Sequence, residues 1–171
     1  MELEPPRGAR HSALMYARDA ASIATPIGLV RVTGTAERIE SVAIGPDGIP
    51  VAATTPSLRE ALDQLAAYFA GRLTVFDLPL APSDTPRGDV LRQAIVAVPY
   101  GRTASYGALA RAIQSSPRAI GQACARNPFP IIVPCHRILG AGGGLGAYSA
   151  GNGPITKSRL LDLERPQEGL L

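Results

Sequence analysis

The residues best equipped for chemistry fall in one run, Ile131-Ile132-Val133-Pro134-Cys135-His136-Arg137. A thiol is a poor nucleophile and a thiolate a good one. A working cysteine therefore needs a nearby cation, or a base that takes its proton, to bring its pKa down from about 8.5. His136 and Arg137 offer both kinds of help beside Cys135. The apolar residues Ile131 to Val133 read as a buried β run that delivers the cysteine. Neighbours in a strand face opposite sides, so His136 can serve Cys135 only across a turn or through a water. The bland alternative is a small buried hydrophobe, the commonest fate of an intracellular cysteine, and the Pro-Cys-His-Arg setting speaks against it. The other cysteine, Cys124, falls mid-helix and reads as core. The remaining histidine, His11, falls in a leader segment and reads as having no role. Two cysteines make no disulfide framework and suit a reducing, cytoplasmic setting.

The charge around this run is lopsided. Residues 1–89 hold 8 basic and 11 acidic side chains, whereas residues 90–171 hold 9 basic and 3 acidic ones. Between Asp89 and Asp162 there are eight basic residues and no acid. A basic half joined to a mildly acidic one reads as a polyanion-binding part attached to a support, or more blandly as a solvated basic surface. Of the 17 basic residues, 16 are arginine; the single lysine is Lys157. Hydrophobic residues at 46% and charged ones at 18% are ordinary globular usage, which excludes wholesale disorder. No apolar run approaches the ~18 residues of a membrane helix, and the N-terminus lacks the apolar core of a secretory signal.

Several elements must position the reactive run. Residues 1–22 read as a mobile leader, 23–83 as a support domain and 84–171 as the functional domain. Leu29–Val32 and Glu37–Ile44 are strand-like and end at the turn Gly45-Pro46-Asp47-Gly48. Pro56 opens a helix with Leu58, Leu62, Leu65 and Phe69 on one stripe, and Gly71 stops it. The stretch Leu78 to Pro86 reads as a proline-punctuated linker. A helix near Gly88–Val98 follows. Ser105 then caps a short helix over Tyr106–Ile113, and Ser116 with Pro117 opens another that runs to about Ala125. Two short helices around a three-residue break in a basic region read as a helix-turn-helix. The second carries small residues (Ala119, Gly121, Ala123), so it can approach another backbone closely. Gly140 to Gly146 lacks the Gly-Lys-Ser/Thr of a phosphate loop and reads as a glycine-rich hairpin turn.

From about Thr25 to Glu164 the sequence resembles the O6-alkylguanine-DNA alkyltransferases, also called methylated-DNA–protein-cysteine methyltransferases. The resemblance rests on Val98-Pro99-Tyr100-Gly101-Arg102-Thr103-Ala104-Ser105-Tyr106-Gly107, on Arg118 to Ala123, and on Asn127 to Arg137. It implies an α/β (α+β) fold: a small N-terminal domain with an antiparallel sheet and one helix, then a mainly helical, winged helix-turn-helix-like DNA-binding and catalytic domain. It implies that Cys135 accepts the alkyl group, that His136 takes its proton through a water, and that Glu164 polarises His136. Asn127 would tie the recognition helix to the active-site loop. Tyr106 would press on the DNA backbone and help protonate the leaving guanine. Arg118 would fill the stack vacated by a flipped base, with Ala119 and Gly121 against the groove. Tyr148 and Ser149, with backbone near Val133, Cys135 and Ile138, would line the guanine pocket.

The resemblance further implies a monomer that acts on duplex DNA containing O6-alkylguanine. It would work in the cytoplasm, associated with the nucleoid when bound, without a cofactor or a metal. The zinc ligands of some relatives have no counterpart, because residues 12–123 contain neither Cys nor His. Arg87 and Leu91 stand where the family carries aromatics, which leaves the packing between the halves open. The segment from Tyr106 to Arg118 is about two residues short, and Glu164 depends on where a gap is placed; its rival reading is an exposed acid paired with Lys157 or Arg159. Three other functions compete. A lesion sensor that transfers nothing would lack the acceptor cysteine. A winged-helix regulator has no use for Pro-Cys-His-Arg. A cysteine hydrolase needs an oxyanion hole and a separate histidine.

Overall fold

The computed structural model describes residues 17–166. Three antiparallel strands come first among the described residues: β1 (Asp19–Thr25), β2 (Gly28–Gly34) and β3 (Ile39–Gly45), in that spatial order. β1 starts inside the segment read as a mobile leader, so the leader's end at residue 22 is corrected; residues 1–16, His11 among them, lie outside the described residues. Gly28 makes the first hairpin possible, since its φ is 113° and a Cβ would lie 2.2 Å from the Gly45 carbonyl oxygen. Val30 and Val32 turn their fully buried side chains to helix α1 (Pro56–Phe69), which answers with Leu58, Ala61, Leu65 and Tyr68. The proline-punctuated stretch is no free tether. Ile39 donates to the Pro79 carbonyl at 2.7 Å and Ala81 donates back to Ile39 at 2.8 Å, which docks the segment along β3.

The second half carries α2 (Pro86–Val96), β4 (Ala104–Ser105), α3 (Tyr106–Ala112), α4 (Pro117–Ala125), a 3-10 turn (Cys135–Arg137), β5 (Ile138–Leu139) and α5 (Pro154–Leu163). Serine caps start both short helices as read: Ser105 Oγ accepts from the Ala108 amide at 3.0 Å and Ser116 Oγ from Ala119 at 3.1 Å. Between them the chain reverses tightly. Ser115 donates to Ala110 at 2.8 Å and Gln114 to Arg111 at 3.3 Å, a paired helix-end motif that places Gln114 at φ 53°. β4 and β5 pair in parallel and bring the start of α3 beside the residues after Cys135. No strand pairs back after Gly140–Gly146 among the described residues, so that segment is a loop with a 3-10 turn (Ala141–Gly143) and not a hairpin. Among the described residues no helix is long and apolar enough to cross a membrane.

Candidate active site

Ile131 to Val133 are buried as expected, but they form a turn and not a strand. A β-branched run fits either environment when both faces are buried. Here the chain bends at Ile131, whose φ is 75°. A left-handed conformation at a buried isoleucine stores on the order of 1–3 kcal/mol of strain, held only because the surroundings over-determine it. The 3-10 turn that follows carries Cys135, His136 and Arg137, all buried. A turn permits what an extended strand forbids, so the cysteine and the two residues after it reach different partners from one place.

Asn127, just past the end of α4, clamps this loop. Its Nδ2 donates to the Val133 carbonyl at 2.9 Å and to Cys135 Sγ at 3.2 Å, while its Oδ1 accepts from the Phe129 amide at 2.9 Å. Burial pushes the Cys135 thiol above its usual pKa; the Asn127 bond, and then the Lys157 charge, oppose this without overcoming it. The resting sulfur is a protonated thiol.

Glu164, at the C-terminal end of α5, collects four bonds. Its Oε1 accepts from His136 Nε2 at 2.7 Å, from Tyr68 OH at 2.7 Å and from Arg137 Nη2 at 2.9 Å, and its Oε2 accepts from Arg137 Nε at 2.9 Å. Burial alone would raise the Glu164 carboxyl, but the donors from His136, Arg137 and Tyr68 together draw it down to about 2. It is therefore an acceptor only, and His136 must carry its proton on Nε2. Burial lowers the His136 pKa against the pull of Glu164, so the imidazole rests neutral. Its Nδ1 is then a bare lone pair, buried and without a hydrogen-bond partner among the described residues. The site thus pairs a neutral thiol with a neutral base that is ready to accept one proton.

The comparisons agree on one family. The family model described as "6-O-methylguanine DNA methyltransferase, DNA binding domain" matches residues 89–166. A Bacillus subtilis protein named "Methylated-DNA--protein-cysteine methyltransferase, constitutive" is 45% identical over 113 residues, 65% of this chain and 68% of the relative. The chain belongs to the methylated-DNA–protein-cysteine methyltransferase family. A Mycobacterium leprae methyltransferase is 46% identical over 110 residues, 63% of this chain and 66% of its own length. These alignments span about two thirds of the curated relatives. The crystal structure of Mycobacterium tuberculosis OGT in complex with DNA matches with a TM-score of 0.73 at 37% identity, covering 85% of this chain and 92% of that one.

Around the methyltransferase's cysteine stand further residues singled out from the sequence. Tyr106 opens α3 half-buried, with its hydroxyl 4.0 Å from where a Gly146 Cβ would sit. Burial raises its pKa first, and Cys124 and Cys135 add to this, so the hydroxyl holds its proton. The Tyr148 hydroxyl is buried without a partner among the described residues, Ser149 is exposed, and Val133 and Ile138 are buried. Arg118 is exposed in the first turn of α4, where no acid offsets it; Ala119 and Gly121 follow, half-buried. A cleft of about 510 Å³ opens between α2 and α4, and Asn127 and Val133 form part of its wall. Among the described residues no cluster of three or more His, Cys, Asp or Glu side chains could hold a metal ion.

One assignment changes, at Arg137, and two points left open in the sequence, at Glu164 and at Arg87 and Leu91, are answered in whole or in part. Arg137 does not assist the thiol: its guanidinium is committed to Glu164 and, through Nη1, to the Val98 carbonyl at 2.8 Å. The cation that favours the thiolate is Lys157, fully buried, whose Nζ donates to the carbonyls of Ile138 at 2.7 Å and Leu145 at 2.5 Å. Its place as the only lysine was the one available signal. Glu164 is buried on His136 and Arg137, and is not a surface partner of Lys157 or Arg159. The packing left open at Arg87 and Leu91 is met in part by Arg92, which lies 5.0 Å over the Phe129 ring and donates to the Ala81 carbonyl at 2.7 Å.

Proposed function

We propose that this methyltransferase removes the alkyl group of O6-alkylguanine from duplex DNA and keeps it on Cys135. The observation that carries the reading is the Asn127–Cys135 clamp beside a neutral His136 whose Nε2 is fixed by Glu164. The thiol proton passes to His136 Nδ1 through a water as the sulfur attacks the alkyl carbon in line. The S–C bond forms, the C–O6 bond breaks, and the electron pair stays with the guanine ring. Tyr106 passes its proton to the departing base and regains one from solvent, into which His136 releases the thiol's proton, so the protons balance. Water cannot displace the resulting thioether, so each chain acts once, and no cofactor is needed because the substrate brings its own leaving group.

The target base must leave the helix to reach a buried sulfur, at a cost of a few kcal/mol that is lower for a poorly paired lesion. Arg118 occupies the stack it vacates, and the small residues Ala119 and Gly121 let α4 approach the groove. Tyr148, Ser149, Val133 and Ile138 receive the guanine. In this reading residues 23–83 support residues 84–171, and the chain works as a monomer in the cytoplasm. Cys135→Ser tests it. The variant should bind duplex DNA as the wild type does and transfer nothing, because a hydroxyl is far less acidic than a thiol. Near wild-type transfer by that variant would end the assignment.

A further inference from the structure

The N-terminal half supplies one atom to the relay. Tyr68 lies on α1, 96 residues from Glu164 in sequence, and its hydroxyl donates to Oε1 at 2.7 Å. That oxygen also receives the His136 Nε2 bond. The Tyr68 ring is fully buried, with Phe69, Phe76 and Tyr100 centroids at 5.1, 5.3 and 6.1 Å. Such an aromatic nest needs a ring but no hydroxyl, and a buried hydroxyl is costly unless bonded. Glu164 is the side chain that bonds it. Glu164 itself ends α5, where Arg137 also donates to the carboxylate through Nε and Nη2, and Lys157 is the other cation near His136; Tyr68 is the neutral donor on the shared oxygen.

We propose that Tyr68 is a positioning residue for alkyl transfer: its hydroxyl, bound to the Glu164 oxygen shared with His136, fixes the carboxylate and limits the negative charge that the imidazole meets. The proposal rests on the reading of Cys135 and His136 above. It gives the N-terminal half a part in the chemistry, since α1 sets how basic His136 is. Removing the hydroxyl leaves more charge on Oε1 for His136 and makes the imidazole easier to protonate.

Single-turnover transfer from an O6-methylguanine duplex, measured across pH, reads this directly. In Tyr68→Phe the acid limb should move to higher pH by about 0.5 to 1 unit, the scale of a shared charge-assisted bond. Tyr100→Phe is the packing control: its ring borders Tyr68, but its hydroxyl donates to the Leu163 carbonyl at 3.3 Å, so the limb should stay. Fluorotyrosine placed at position 68 is a stronger donor of nearly the same shape and should move the limb the other way; it carries the test if Tyr68→Phe does not fold. A limb that stays in both Tyr68 variants, or that moves equally in Tyr100→Phe, overturns the role of Tyr68 while leaving wild-type transfer intact. A wild type that transfers nothing at any pH overturns the Cys135 reading as well.

Discussion

Cys124 and Cys135 share one buried neighbourhood and differ in what touches the sulfur. Burial pushes Cys124 up to about 12, and among the described residues it has no donor like Asn127. Cys135 has that donor and a base on the adjacent residue. Asn127→Ala should therefore slow transfer and raise the Cys135 pKa further, because the Asn127 bond works to lower it. It should also lower stability in urea by about 1–3 kcal/mol, the cost of leaving buried partners unmet. The wild-type pH dependence follows from His136. Burial holds its pKa below the usual 6.5, so the base form dominates at neutral pH. The transfer rate should be level above pH 7 and fall only below about 6.5. A rate that climbs steadily to pH 9 would instead mark an unassisted thiolate.

At the level of elements, α4 and the turn before it set how the chain meets DNA. Gln114 holds a left-handed φ of 53° where glycine is the usual choice. Gln114→Gly should raise stability by about 0.5–1 kcal/mol, read as a shift in the urea midpoint, and so report that the short turn is closed under mild strain. Arg118→Ala should leave the salt dependence of duplex binding nearly unchanged while slowing transfer from duplex far more than from single strands. Equal slowing on both, or loss of about one unit of salt slope, would make Arg118 a phosphate clamp. The short helices were legible because Ser105, Ser116 and Pro117 are local start signals. β1 was not, since Asp-Ala-Ala-Ser-Ile-Ala-Thr has too few large apolar residues to show alternation. Ile131–Val133 misled because composition reports burial, while the bend at Ile131 comes from the loop around it.

Across the whole molecule, the site closes through contacts that no local pattern announces. Pro-Cys-His-Arg and Asn127 could be read directly, but Tyr68 meets Glu164 across 96 residues, and Val42 of β3 donates to the Pro128 carbonyl at 2.8 Å. These ties make stability depend on pH. The folded His136 pKa lies below its unfolded value, so its contribution is whole above about 6.5 and shrinks as pH falls from there. Glu164 is held at about 2, against about 4.3 unfolded, and its contribution is lost between those values. Both act in one direction. The urea midpoint should be flat near neutral pH and decline progressively below about 6.5. Glu164→Gln should lose about 3–5 kcal/mol at pH 7, as expected when a buried charge loses its partner. All of this chemistry requires that Cys135 alone accept the alkyl group. The most direct test is the intact mass of the native protein after mixing with O6-methylguanine duplex, followed by peptide mapping. The mass should rise by one CH2 unit per chain, with the added group on Cys135; an unchanged mass, or the added group on Cys124, would exclude Cys135 as the acceptor.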